Sequence, residues 1–403
     1  MEPQRYLDSI ETGLKGSAPS YCIEYVGDLA IDALTKAYAL LGRRHPLLRS
    51  RIRVTDRGDS LELSPGYEPD VETYDGDFET LAEVISGVWA PERSVARLVV
   101  VRGDTRGYIA LRMDHAVTDG GIKMALFRQL LSLYGEIESG KEVVPREGTA
   151  FPAPPSVLLE KRWGTQGAWR APDSRRAVGN RHVAVQRVTC LGVDETALLV
   201  RAARTLGTSV HGLLCGSILV AQRAHDSRSV EAPMVCLSPV DLRHRVDPPV
   251  DAMATTRFLG LHMTTPVVSP DSDPVVVGRN TLGKLERAIS ERRLLTAPEA
   301  RPLPWVHTPL ETPVAHASVS NYGVLVPFTG GSSIEIVDFL TLADGVTGPF
   351  PTYAVYTYGG RLAIRSVFPG TYYSQDDVDS LLKRVVTRLS HLGEAHGMRT
   401  SAR

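Results

Sequence analysis

The residues best suited to chemistry lie in one stretch, 111–121, which reads Leu-Arg-Met-Asp-His-Ala-Val-Thr-Asp-Gly-Gly. His115 is the only side chain in it that can serve as a general base near neutral pH without a large pKa shift. Asp119, four residues on, can turn back to shape the loop or pair with a distant arginine. Gly120 and Gly121 remove side chains where the backbone turns or where a substrate passes close. The stretch holds no Ser, Cys or Lys, so it offers no covalent nucleophile. The chemistry it suits is proton abstraction from an acceptor, which then attacks an acyl group held elsewhere. Asp114, His115 and Asp119 are also metal-ligand types. No second histidine stands at helical spacing and a catalytic zinc wants three good ligands, so no metal is expected.

The elements around this stretch can hold a base rigidly and still present it. Tyr108-Ile109-Ala110-Leu111 is strand-like, and Ile122, Leu126, Leu130 and Leu133 then share one helical face. His115 therefore sits where a strand leaves the core. A hairpin from 96–101 to 108–111, turning at Gly103-Asp104, would deliver it. Upstream, 21–26 reads as a strand, Asp28 as an N-cap, and Ile31, Leu34, Tyr38 and Leu41 as a helix ended by Pro46. A second hairpin joins 51–54 to 61–63. From 137 to 180 the prolines and glycines thicken, which suggests a crossover linker, and Trp163 and Trp169 suggest that parts of it pack on the surface. A strand at 182–188 opens the second half. Helices follow at 194–206 and 210–223, the second capped by Thr208 or Ser209, with His211 as a first-turn residue. Then come a buried strand at 234–238, a strand at 258–263 and a helix at about 275–293. A strand end at 318–323, a hairpin from 353–358 to 361–367 and a last helix bearing Val378, Leu382, Val385 and Leu389 complete the chain.

Composition bounds the class. With 43% hydrophobic and 23% charged residues the 403-residue chain is ordinary for a globular protein, and long enough for two or three cores. A formal net charge of -1 gives no electrostatic case for nucleic acid or an anionic membrane surface. Cys22, Cys190, Cys215 and Cys236 lack CxxC spacing, and buried free thiols in a reducing cytoplasm are the expected reading. No apolar run approaches a membrane span and the first residues form no signal region.

Four stretches together resemble the CoA-dependent acyltransferase superfamily. Its members include condensation domains of nonribosomal peptide synthetases, chloramphenicol acetyltransferase, plant BAHD acyltransferases and the Pap-type polyketide-associated acyltransferases. His115-Ala116-Val117-Thr118-Asp119-Gly120 resembles the second half of the family's HHxxxDG motif. Arg44-His45-Pro46-Leu47-Leu48-Arg49 is similar to its "RHPxLR", Ser238-Pro239-Val240-Asp241-Leu242-Arg243 to its "VDLR" segment, and Ser320-Asn321-Tyr322-Gly323 to its "SNxG" strand end. The matches keep their order along nearly the whole chain, and a short chain standing alone is most like the Pap-type branch.

The resemblance implies two chloramphenicol-acetyltransferase-like α/β sandwich lobes arranged in a V, with a central tunnel and His115 near its middle. It divides the chain into an N-terminal lobe at 1–145, a crossover linker at 146–180 and a C-terminal lobe at 181–403, and the strand at 258–263 would cross between the lobes. His115 matches the catalytic second His. Asp119 would be held by a buried ion pair from either Arg49 or Arg243. Ser320 or Asn321 could hydrogen-bond a tetrahedral oxyanion. Asp114 replaces the first motif His; it either raises the pKa of His115 or turns into the core as a structural substitute.

The implied activity moves an acyl group from acyl-CoA or a phosphopantetheinyl acyl carrier protein to a small-molecule hydroxyl or amine, in lipid, polyketide or other secondary metabolism. No bound cofactor is expected. The alternatives are a condensation-like protein repurposed for amide formation or cyclisation of a tethered intermediate, and a non-catalytic protein that binds a carrier protein or acyl group.

Overall fold

A computed structural model describes residues 4–67, 71–163, 184–225, 231–294, 316–345 and 350–397. Two large sheets organise it. In the N-terminal half, strands Ser20–Gly27, Gly107–Met113, Ala96–Arg102 and Val71–Asp75 lie side by side, and Ile334–Leu342 adds a fifth strand along Ser20–Gly27. In the C-terminal half six strands run in the order Leu259–Thr264, Val235–Asp241, His316–Val324, Thr352–Tyr358, Arg361–Pro369 and Ala184–Leu191. The architecture is two mixed α/β lobes.

Each sheet carries helices because its strands alternate apolar residues towards them. Tyr21, Ile23 and Tyr25 face one side, where the helices Ile31–Arg44 and Gly120–Glu138 cover them; Cys22 faces the other, under the helix Phe78–Ser86. The six-stranded sheet is covered by Val193–Thr205, Val210–His225 and Gln375–Gly397. The helix Pro274–Ser290 crosses Val210–His225 tightly, because Gly212 and Gly278 leave their backbones in contact.

Several expectations need correction. The first long helix starts at Ile31 with Ala30 at the cap and no side-chain cap bond, so Asp28 does not cap it. The strand Leu259–Thr264 exists but pairs with Val235–Asp241 inside the C-terminal sheet. The strand that crosses is Ile334–Leu342, which pairs antiparallel with Ser20–Gly27 from Gly27 opposite Ile334 to Ser20 opposite Leu342, with a one-residue shift in register between Ile336 and Asp338. The segment read as linker holds a helix, Pro155–Trp163, on which Leu159 is buried. Residues 164–183, with Trp169 and the start of the predicted 182–188 strand, lie outside the described residues. Cys190 is exposed, whereas Cys22, Cys215 and Cys236 are buried; all four are free thiols. Ser209 caps its helix, its Oγ accepting from Gly212 N at 3.2 Å. Among the described residues no helix is long and apolar enough to cross a membrane.

Candidate active site

The strand Gly107–Met113 ends at Asp114, where the chain makes a tight turn closed by Val117 N to the Asp114 carbonyl (3.2 Å) and Thr118 Oγ1 to the same oxygen (2.9 Å). His115 N donates to the Ser17 carbonyl at 2.6 Å, which holds the turn against the segment leading into Ser20–Gly27. His115 Nδ1 lies 2.7 Å from the Thr118 carbonyl oxygen. A carbonyl only accepts, so Nδ1 carries the hydrogen and Nε2 keeps its lone pair. Burial pushes the imidazole pKa down to about 3, and the positive charges of Arg257 and Lys123 add to that. The ring is therefore neutral at physiological pH, with one nitrogen able to take a proton.

Asp119 is a fully built-in residue. It caps the helix Gly120–Glu138 through Ile122 N (3.0 Å to Oδ1), and Oδ2 accepts from Phe258 N and Arg243 Nη1, both at 2.7 Å. Both partners of the ion pair are buried. Arg243 also reaches Asp241 Oδ1 at 3.2 Å. Arg243, from the C-terminal half, thus supplies the pair to Asp119. Arg49 does not; its ion-pair partner is Glu147, at 3.9 Å.

Asp114 turns inward, the second of its two expected roles. Its carboxylate accepts from Ala116 N (2.9 Å), Gly16 N (3.0 Å) and Trp89 Nε1 (2.8 Å). Burial still raises its pKa to about 6 despite those three donors. It does not lift the pKa of His115, which falls. Asp114, His115 and Asp119 serve different neighbours, and among the described residues no group of three His, Cys, Asp or Glu side chains is placed to hold a metal.

A cavity of about 810 Å³ opens beside the turn. Its lining comes from both halves: His115, Gly120, Lys123 and Met124 on one side, Ser320 and Leu325 on the other. Asn321 also lines it, but is exposed, and its Oδ1 accepts from Gly323 N at 2.9 Å. The two glycines are explained by crowding. A Cβ on Gly120 would stand 2.7 Å from the Tyr21 hydroxyl and 3.0 Å from the Tyr322 ring; on Gly121 it would stand 2.9 Å from Arg243 Nη1.

Sequence reasoning passed over several residues here. Lys123 is buried in the first turn of the motif helix, donates to the Pro19 carbonyl and lies 5.2 Å from the Tyr21 ring centre. Burial lowers its pKa to about 7 against the opposing pull of Asp344, Asp119 and Asp114. Its place three residues after Gly120, on the helix face that meets the cavity, was the available signal. Asp344 accepts from Ala18 N (2.6 Å) and Ser17 Oγ (3.2 Å), fixing the same segment from the other half. Trp89 lies under Arg112, 4.8 Å from ring centre to guanidinium carbon. No local pattern marks Asp344 or Trp89, because their partners are distant in sequence.

Residues 179–367 match the family described as "Phthiocerol/phthiodiolone dimycocerosyl transferase C-terminus". A phthiocerol/phthiodiolone dimycocerosyl transferase of Mycobacterium ulcerans is 24% identical over 365 residues, covering 86% of each chain. The structure of polyketide synthase associated protein 5 from Mycobacterium tuberculosis superposes with a TM-score of 0.75 at 19% identity, covering 96% of this chain and 97% of that one. The first condensation domain of the CDA synthetase gives 0.73 at 16% identity, with 98% and 97% covered. Over residues 179–367 the chain thus matches that transferase family, and along its length its fold is that of the polyketide-associated and condensation-domain structures. The curated relatives are transferases, and the protein is an acyltransferase.

Proposed function

We propose that the protein transfers an acyl group from a thioester, of CoA or of a phosphopantetheinyl carrier protein, to a hydroxyl acceptor of lipid or polyketide origin, with His115 as the general base. The observation that carries this reading is the His115 ring: Nδ1–H engaged by the Thr118 carbonyl, Nε2 free, and a cavity beside it lined from both lobes. About 810 Å³ is ample for small-molecule burial. The relatives are dimycocerosyl transferases and a polyketide synthase associated protein, which supports lipid and polyketide chains as substrates.

In the reaction the acceptor hydroxyl gives its proton to His115 Nε2 as its oxygen bonds to the thioester carbon. The carbonyl electron pair moves to oxygen. When the carbonyl re-forms the C–S bond breaks, and the departing sulfur takes the proton back from the imidazolium. Holding both substrates in one cavity lowers the barrier by up to about 7–11 kcal/mol in well-oriented systems. The base contributes roughly 10²–10⁴-fold. Asp119 and Arg243 hold the turn and are not proton carriers.

The test is thiol release from a panel of acyl-CoAs and acyl carrier proteins with alcohol and amine acceptors, for wild type and His115→Ala. Acceptor-dependent release that His115→Ala abolishes is the expected result, and the amine arm decides between ester and amide products. Equal rates in the two proteins refute the base assignment. A protein that binds the donors and releases no thiol would instead be an acyl- or carrier-binding protein.

A further inference from the structure

Tyr21 is the first large residue of the strand Ser20–Gly27, and its ring is fixed from several directions. Phe339 meets it edge-on with ring centres 5.3 Å apart, Tyr322 edge-on at 5.9 Å, and the Lys123 ammonium lies 5.2 Å from its centre. The ring thus belongs to the seam between the lobes: Tyr21 comes from the N-terminal half, Tyr322 from the C-terminal half. Its hydroxyl is treated differently. It is buried, it interacts with the Tyr322 hydroxyl across the seam without a hydrogen bond of normal length and angle among the described residues, and Tyr21 is one of the residues that line the cavity. A buried donor left without a well-formed bond costs roughly 1–3 kcal/mol, which a better-placed acceptor arriving with the substrate would recover.

The surroundings say which partner. The hydroxyl lies against Gly120, where a Cβ would approach it to 2.7 Å. Gly120 follows Asp119 at the end of the turn that carries His115, so the donor and the base belong to one wall of the cavity. Burial, then the Tyr322 hydroxyl and the nearby carboxylates Asp119 and Asp241, push the phenol pKa up, so it keeps its proton and can donate to an oxygen that gathers negative charge. Lys123, over the ring, adds positive charge beside it. The other polar groups of the wall are less free: Asn321 spends its carbonyl oxygen on Gly323 N, and Ser320 interacts with Tyr322.

We propose that the Tyr21 hydroxyl donates the hydrogen bond that stabilises the oxyanion of the tetrahedral intermediate, from the same wall as the base His115. The inference rests on the acyl-transfer reading above. Tyr21 keeps its proton throughout: it donates to the former carbonyl oxygen while that oxygen holds the extra electron pair, and the bond weakens when the C–S bond breaks and the carbonyl re-forms.

Tyr21→Phe removes the hydroxyl and leaves the ring contacts, so the fold should persist. The experiment measures thiol release from octanoyl- to palmitoyl-CoA with 1-decanol for wild type, Tyr21→Phe and His115→Ala, together with thermal midpoints. The expected result is a kcat for Tyr21→Phe lowered roughly 10²–10³-fold, the size seen when one oxyanion donor is removed, with the donor KM and thermal midpoint near wild type. A wild-type kcat in Tyr21→Phe, with His115→Ala inactive, overturns this inference and leaves the acyltransferase reading standing. A raised KM at unchanged kcat also overturns it, because the hydroxyl would then serve ground-state binding. Full activity in His115→Ala removes the reading on which the inference rests, and the inference with it.

Discussion

Removing the Asp119 carboxylate should do more damage to the fold than removing the arginine it holds. Asp119→Ala leaves the buried Arg243 guanidinium without its main counter-charge and orphans Phe258 N and Ile122 N. Breaking a buried ion pair from one side costs about 3–5 kcal/mol, and losing a helix cap about 1 kcal/mol. The sum, about 4–6 kcal/mol, is a large part of the roughly 5–15 kcal/mol that holds an ordinary domain together. Arg243→Leu should cost less, because Asp119 would still accept from two backbone N–H groups. The double variant should fall well short of the sum of the singles, with a coupling of roughly 1–3 kcal/mol. Urea unfolding of the four proteins at two salt concentrations measures this; a buried pair is screened little, so the coupling should survive high salt. Additive single effects, or a loss under about 1 kcal/mol in Asp119→Ala, would refute the reasoning.

Three further outcomes follow from the same geometry. With its pKa near 3, His115 is already neutral across pH 5–8. The acid limb of kcat/KM assigned to it should therefore lie below pH 5, and a limb near 6.5 would contradict the burial argument. Asp114 has a folded pKa of about 6, above the ordinary 3.8, so its stabilising contribution is full at low pH and lost as pH rises through 6. Asp114→Asn should lower the unfolding free energy measured in urea by about 1–3 kcal/mol, since an amide cannot accept from all three donors, and should flatten stability between pH 4 and pH 7. A steeper profile would show the wrong sign. Gly278→Ala drives a Cβ into the Gly212 carbonyl at the helix crossing, whereas a Cβ on Gly283, in the same helix, meets nothing within 4 Å. Thermal melts should show Gly278→Ala destabilised by about 1–3 kcal/mol and Gly283→Ala unchanged or slightly stabilised.

What could be read from the residues divides by range. The hairpin that ends at Asp114 follows from two short apolar runs about a polar turn at Gly103-Asp104, and the motif helix from the spacing of Ile122, Leu126, Leu130 and Leu133. These are local signals. The choice between Arg49 and Arg243 is not local: both are arginines in motif-like surroundings, and only the packing of the C-terminal half against the turn brings Arg243 to Asp119. Asp114 stayed open for the same reason, since Trp89 and Gly16 lie 25 and 98 residues away. The crossing strand was misplaced although 334–336 alternates as Ile-Glu-Ile, because alternation says that a segment is a strand and not which sheet it joins.

That strand has a consequence for anyone who would cut the protein in two. Between the C-terminal sheet and Ile334–Leu342 the chain passes over the motif helix, where Arg128 donates to the Val326 and Pro327 carbonyls and Glu138 accepts from Ser332 N and Ser333 N. A fragment ending before residue 146 would lose both this strap and its outermost strand, leaving the Ser20–Gly27 edge bare, a template for pairing with other chains. The smallest supplement that restores the edge is a segment beginning near 325 and ending near 345. Co-expressed with the N-terminal fragment, it is the natural partner in a split-protein complementation design, whereas a clean division at the chain's midpoint is not.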